Sequence, residues 1–254
     1  METIEKYFTL TGLLGVKSRK VKAIEYIISG ILLCYAGLLC CPNLLFGHSI
    51  KYKNFNIYST SEFDNSICNV LDKTRGNLSA SSINDTTITH NIYLCNSYSL
   101  YSFFAPFVRK SFACNYCPIK SIFISNCDVR MNEAYKNDEN DSYTRQLSEL
   151  IAHEVTHTLT ERKLGFWKYR TLERWKNEGY SETIGHNEAI NLPRAKEFLR
   201  TNENNNRPGI LYQKYYFAVA YLMQIEKMKF EDIVAAKYTL DNVLNKIETI
   251  KIEN

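Results

Sequence analysis

Residues 153 to 157 read H-E-V-T-H, and residues 177 to 182 read N-E-G-Y-S-E. The helical period places His153 and His157 on one helix face, where both imidazoles can reach a single metal ion. Glu178 lies far enough downstream for a second helix to return a carboxylate to the same ion. Two histidines and one glutamate leave the fourth position of a zinc ion open for water, which is typical of catalytic zinc sites.

The residues around the first motif predict a half-buried helix that ends near Gly165. Apolar or small residues recur there at helical spacing: Leu147, Leu150, Ile151, Val155, Thr158 and Leu159. The alternative is two ordinary core histidines with a surface glutamate between them. That alternative gives no role to Glu178.

The runs H-E-V-T-H-T-L and W-K-N-E-G-Y-S-E resemble the motifs of the gluzincin metallopeptidases, and more closely those of small bacterial peptidase-MA-like proteins. The resemblance extends over roughly residues 121–222. It implies that His153, His157 and Glu178 bind Zn²⁺. It also implies that Glu154 is the general base of a peptidase.

Two further residues take a role from the same resemblance. Glu182, four positions after the ligand glutamate, occupies the place of an acidic residue that hydrogen-bonds a ligand histidine, although aspartate is more usual there. Tyr212 opens a Y-Q-K run similar to the Tyr-x-Lys of some gluzincin aminopeptidases, which implies a phenol that stabilises the oxyanion. Because the chain has 18 tyrosines, the alternative that Tyr212, Tyr215 and Tyr216 pack a helix stays open. His186 is a second possible donor, or else a surface or helix-end histidine.

An uncharged stretch near the N-terminus predicts a membrane anchor. Residues 26–50 contain no Asp, Glu, Lys or Arg, and about 20 such residues can span a bilayer. The alternatives are a buried core helix and a signal peptide, but the end of the stretch has no convincing A-x-A-like cleavage site. We therefore favour an uncleaved anchor.

Basic residues indicate how this anchor is oriented. Lys17, Arg19, Lys20 and Lys22 precede the uncharged stretch, and such a cluster favours the cytoplasmic side. The expected organisation is a cytoplasmic N-terminus at 1–22, a single transmembrane anchor at 23–46 and an extracytoplasmic catalytic domain at 47–254 of a cell-membrane protein.

Charge and cysteine content limit the partners. The formal net charge of +4 is spread along the chain and does not favour nucleic acid. Five cysteines lie between the anchor and the motif helix: Cys68, Cys95, Cys114, Cys117 and Cys127. The C-N-Y-C run at 114–117 has metal or redox spacing, but no second such pair completes a four-sulfur site. One or two disulfides, or none in a cytosolic domain, are the alternatives.

The remaining pattern predicts an α+β fold, with a small sheet subdomain to about residue 126 and a helical zincin-type catalytic subdomain from Tyr143. Expected strands are Ser49–Tyr58, Thr87–Cys95 and Ser121–Ser125, and expected helices include Glu62–Leu78, Ile210–Met228 and Asp232–Ile250. We expect Ser121–Ser125 to lie at the rim of the cleft, where an extended peptide can add to its edge. The alternative for this strand is an ordinary core position.

Two functional hypotheses follow. The first is a membrane-anchored zinc peptidase that acts on a peptide or protein substrate. The second keeps the metal and the fold but makes the domain a binding or assembly module with little or no hydrolysis. Glu154 favours the first, because a purely structural site has no use for a general base and tends to close its fourth position.

Overall fold

The computed structural model of the protein describes residues 19–136 and 143–251. These residues separate into two compact units between Leu44 and Leu45. The first unit contains helix α1 (Arg19–Cys40). Its segment Lys22–Cys40 has a mean hydropathy of 1.9 and no buried residue. The segment is therefore long and apolar enough to cross a membrane, and a signal sequence can have the same length and composition. Lys17 of the predicted basic cluster lies outside the described residues.

The second unit begins with a mixed five-stranded sheet in the order β1-β2-β3-β5-β4. Its strands are β1 (His48–Tyr52), β2 (Phe55–Ser59), β3 (His90–Leu94), β4 (Ala113–Tyr116) and β5 (Ser121–Ile124). The outer pairs β1–β2 and β4–β5 are antiparallel, whereas β2–β3 and β3–β5 are parallel. The strand β4 therefore forms one edge of the sheet.

The register of this sheet gives each face its own packing. Ile57, Ile92 and Ile122 are aligned across β2, β3 and β5 and belong to the main hydrophobic core. On the opposite face, the rings of Tyr93 and Phe123 stack at a centroid distance of 4.9 Å. Both faces of the central strands are thus buried, as is usual for parallel strands.

A small antiparallel sheet connects the larger one to the helices. It contains β6 (Asn126–Asp128), β7 (Glu133–Tyr135) and β8 (Thr144–Gln146) in that order. The strand β8 runs directly into the motif helix α4 (Leu147–Leu164), which ends at Gly165, where φ is +78°.

Helices form the rest of the second unit. They are α2 (Ile67–Leu78), α3 (Tyr98–Phe104), α5 (Phe166–Thr171), α6 (Arg174–His186), α7 (Leu192–Thr201), α8 (Pro208–Gln224), α9 (Phe230–Ala235) and α10 (Leu240–Thr249). The α+β class and the helical C-terminal part are confirmed.

Three local predictions were wrong. The segment Ser49–Tyr58 is a hairpin rather than one strand, because Lys53 adopts φ of 52° and turns the chain. Ser121–Ser125 contributes the interior strand β5, whose four residues are all buried, so it does not lie at the rim. Asp232–Ile250 is divided into α9 and α10, because the side chain of Thr239 accepts from the backbone N–H of Asn242 and starts a new helix.

Candidate metal centre

Three side chains from α4 and α6 converge on one point. The Nε2 atoms of His153 and His157 are 3.1 Å apart. The Oε2 atom of Glu178 lies 3.5 Å from Nε2 of His153 and 3.4 Å from Nε2 of His157. His153 and His157 are buried, and Glu178 is half-buried. The predicted ligands are therefore together and could hold a metal ion.

The size of this triangle can be compared with that of a tetrahedral metal site. With bonds of about 2.0–2.1 Å, the ligand atoms of tetrahedral zinc are separated by about 3.3–3.4 Å. The three edges, at 3.1, 3.4 and 3.5 Å, are close to this separation. Two imidazole nitrogens and one carboxylate oxygen are also the donors of many catalytic zinc sites. Within residues 19–136 and 143–251, no fourth His, Cys, Asp or Glu joins the group.

Two glycines of α6 bring the neighbouring helices close to the site. A side chain at Gly179 would collide with the backbone oxygen of Tyr215 and come within 2.6 Å of Cγ2 of Val219, both on α8. A side chain at Gly185 would lie 3.0 Å from the backbone oxygen of Glu149 on α4. The helix α6 therefore packs closely against α8 near Glu178 and against α4 near its C-terminal end.

Charged groups support His153. Its Nδ1 lies 3.3 Å from Oε1 of Glu182, at an angle too poor for a hydrogen bond. Both carboxylate oxygens of Glu182 accept from the guanidinium of Arg145 on β8, at 3.0 and 2.6 Å. Burial alone would raise the pKa of Glu182, but Arg145 and His153 lower it below its usual range. The predicted position of Glu182 next to a ligand histidine agrees with this arrangement.

Neutral groups support His157. Its Nδ1 lies 3.2 Å from Oδ1 of Asn177 and 3.3 Å from Oγ of Ser181. A proton on Nδ1 that is donated to the Asn177 oxygen leaves Nε2 free to bind a metal. Both partners belong to the N-E-G-Y-S-E run, where Ser181 lies one helical turn after both Asn177 and Glu178.

The electrostatics reflect the crowding of the three ligands. Burial lowers the pKa of His157, but the carboxylates of Glu178 and Glu154 raise it by more, so that it reaches about 9. Burial raises the pKa of Glu178, whereas the two histidines lower it well below its usual range. The three side chains therefore form a site that favours positive charge, which the proton on His157 supplies. A bound cation would replace that proton.

Glu154 lies next to these ligands on α4. It is 8% exposed, and its charge contributes to the raised pKa of His157 and of the Cys114 thiol. It therefore lies close to both the metal ligands and β4. The side-chain amide of Asn115 on β4 donates to the backbone oxygen of Glu154 and, at 3.1 Å, to Oγ1 of Thr158. The edge strand is thus fixed against the motif helix.

Tyr212 lies on α8, near Glu178. Burial and the carboxylate of Glu178 raise the pKa of Tyr212, so its phenol stays protonated at neutral pH. Its oxygen accepts from Nη2 of Arg174 at 3.3 Å. Next to it, Tyr216 is buried and Lys214 donates to the backbone oxygens of the 203–205 turn. Of the Y-Q-K run, Tyr212 alone is associated with the metal ligands.

His186 and the cysteines lie outside the ligand group. Nδ1 of His186 is 2.8 Å from Oε2 of Glu149, so this histidine contacts a carboxylate outside the ligand group. All eight cysteines are free thiols, and burial raises the pKa of both Cys114 and Cys117 to about 12. At neutral pH these two thiols are protonated and poor metal ligands.

Sequence reasoning missed four residues around the site. Arg174 and Ser181 could have been found, because they share a helical face with Glu178, and Asn177 lies one turn before Ser181. Arg145 had no such signal, since it lies on a short strand that precedes its partner by 37 residues. Comparison with protein-family models and with curated proteins found no match.

Proposed function

We propose that the protein is a membrane-anchored, zinc-dependent peptidase of the gluzincin type. The main support is the triangle of His153, His157 and Glu178, whose size and donor atoms suit zinc, with the buried Glu154 beside it. The nearby Glu182 agrees with the pattern that the sequence resembles. A zincin-type subdomain formed by α4 and α6 is part of this proposal.

In the proposed reaction, His153, His157 and Glu178 hold the ion. When bound, zinc lowers the pKa of a coordinated water to about 7 and polarises a substrate carbonyl. The Glu154 carboxylate accepts the proton of the attacking water and later delivers it to the leaving amine. The protonated phenol of Tyr212 donates a hydrogen bond to the developing oxyanion.

The substrate position follows from the sheet. We propose that an extended peptide pairs with the edge strand β4. The sequence had predicted Ser121–Ser125 as the strand that pairs with the peptide. Edge strands present unpaired backbone groups to which a peptide can add. Asn115 links β4 to the backbone of Glu154, so a peptide on this edge lies next to the general base.

The first test measures metal and hydrolysis separately on the purified full chain. We expect one zinc per chain, lost in His153→Ala, His157→Ala and Glu178→Ala. Glu154→Gln should keep its zinc but hydrolyse a peptide library at least about a hundredfold more slowly, because an amide cannot accept the proton. Glu161→Gln, two turns further along α4, is the matched control and should retain activity.

Three results would contradict parts of this proposal. Full zinc occupancy in Glu178→Ala removes that residue from the ligand set. Unchanged turnover in Glu154→Gln removes the general base. Bound zinc without hydrolysis of any peptide favours the binding or assembly module.

We also propose that α1 is a single-pass anchor with the catalytic unit outside the cytoplasm. The basic cluster that includes Lys17 and Lys22 precedes the apolar segment, and only Lys51 and Lys53 follow shortly after it. Protease added to intact cells, or to spheroplasts, should degrade the catalytic unit and leave a membrane fragment of about 45 residues. Complete protection until lysis would place the site in the cytosol.

A further inference from the structure

Arg174 is the first residue of α6 and lies one helical turn before the ligand Glu178. Residues four apart share a helix face, so its guanidinium extends along the face that carries the metal ligand. The residue is exposed. It therefore places a positive charge next to the metal ligands and within reach of solvent.

The contacts of Arg174 fix this position. Its Nη2 lies 3.3 Å from the phenol oxygen of Tyr212, and its guanidinium carbon lies 5.6 Å from the centre of that ring. The carboxylate of Glu178 influences the pKa of both Arg174 and Tyr212. Both contacts are with Tyr212, so the arginine is held next to the residue that is the candidate oxyanion donor.

Arg174 differs from the other arginine near the site. Arg145 is half-buried, and its two Nη atoms donate to the two carboxylate oxygens of Glu182. Among residues 19–136 and 143–251, no carboxylate oxygen lies within 4.0 Å of the Arg174 guanidinium. A planar guanidinium with free donors is suited to bidentate recognition of a carboxylate.

We propose that Arg174 binds a carboxylate of the substrate close to the scissile bond. This inference rests on the proposed peptidase function and narrows its substrate class to peptides with such a group. The carboxylate is either the free C-terminus of the peptide or the side chain of an Asp or Glu. The first source makes the enzyme a carboxypeptidase, and the second gives an endopeptidase with acidic specificity.

The test compares Arg174→Gln and Arg174→Lys with the wild-type full chain. The control is Arg170→Gln, an exposed arginine on α5 whose guanidinium lies over the ring of Phe166. Three peptides of one parent sequence are used: one with a free C-terminus, one amidated, and one amidated with a Glu added near the cleavage site. The measurements are KM and kcat for each peptide.

We expect Arg174→Gln to raise KM at least about tenfold for a carboxylate-bearing peptide, because one charged hydrogen-bonded contact is lost. The loss for the neutral amidated peptide, which Arg174 can affect only through Tyr212, should be smaller and should fall on kcat, and Arg174→Lys should restore binding only in part because it lacks the fork of donors. A preference for the free C-terminus identifies the first source, and a preference for Glu identifies the second. Equal losses on all three peptides would overturn the inference. They would mean that Arg174 acts only through its contact with Tyr212.

A binding measurement keeps this inference separate from the proposed activity. Calorimetry with Glu154→Gln compares two matched pairs, N-acetylphenylalanine with its amide and N-acetylglutamic acid α-amide with N-acetylglutamine amide. The first member of each pair carries one carboxylate and the second carries none. Both the zinc-loaded and the chelated protein are titrated, because a carboxylate can also bind zinc. Carboxylate binding to the chelated protein that disappears in Arg174→Gln, but not in Arg170→Gln, supports the inference even if no peptide is hydrolysed. Binding that is equal in the two arginine variants contradicts it.

Discussion

The Nδ1 atom of His153 faces charged groups, whereas the Nδ1 atom of His157 faces neutral groups. Glu182 faces the first histidine and is held by Arg145, and Asn177 with Ser181 faces the second. A carboxylate partner raises the basicity of a ligand imidazole and fixes its orientation. A buried ion pair, however, is costly once either member is removed. We infer that stability and metal affinity are most closely coupled on the His153 side of the site.

The largest expected effect comes from Arg145, because its removal leaves a buried charge. In Arg145→Met the carboxylate of Glu182, whose side chain is 7% exposed, is left without its main partner. Loss of one member of a buried pair costs about 3–5 kcal/mol. Urea unfolding of the full chain, followed by circular dichroism, should show this loss.

The control for Arg145 is another arginine with a single carboxylate partner. Arg130 bonds to Asp64 at 2.6 Å, but its side chain is 78% exposed. Arg130→Met should leave the unfolding midpoint unchanged, because exposed ion pairs are screened by water. Equal losses in Arg130→Met and Arg145→Met would mean that burial of the Glu182 pair does not matter.

How well the sequence predicted the molecule also differs between regions. The shared position of His153 and His157 was predictable because helical spacing acts over a few residues, whereas Glu178 was predicted from the motif resemblance. Arg145 was not, because its partner is far along the chain and strand β8 has only three residues. Local patterns fix which side chains share a helix face, but they do not fix which distant segments meet.

The sheet illustrates the same limit. Ser121–Ser125 was correctly predicted as a strand, yet strand order placed it in the interior and β4 at the edge. Nothing in the alternation of apolar residues specifies neighbours within a sheet. By contrast, the turn at Lys53 and the helix start at Thr239 are local features, and closer attention to capping could have predicted the latter.

A second prediction tests, by an added methyl group, how closely α6 packs against α8 and against α4. Gly179→Ala should destabilise the protein by about 1–3 kcal/mol, because the new methyl group overlaps the backbone of α8. Gly185→Ala adds a methyl group 3.0 Å from the backbone oxygen of Glu149, which is a tight contact but not an overlap, so its effect should be smaller. Thermal unfolding of both variants is the measurement.

The matched control for these glycines is Gly76 on α2, around which no atom lies within 4 Å of an added methyl group. Because alanine is a better helix former, Gly76→Ala should raise stability by about 0.4–1 kcal/mol. A greater loss in Gly185→Ala than in Gly179→Ala would indicate that α6 packs more tightly against α4 than against α8.

The last prediction compares the two histidine partners through zinc affinity. Glu182→Gln should weaken zinc binding about 10–100-fold, because it removes the negative charge next to Nδ1 of His153. Asn177→Ala removes one neutral hydrogen bond from His157, which is worth about 0.5–1.5 kcal/mol, so affinity should fall by about tenfold at most. Competition with a chromophoric chelator measures both, on protein whose circular dichroism shows that it is folded. Equal losses in the two variants would mean that the charge behind His153 contributes no more to metal binding than the neutral pair behind His157.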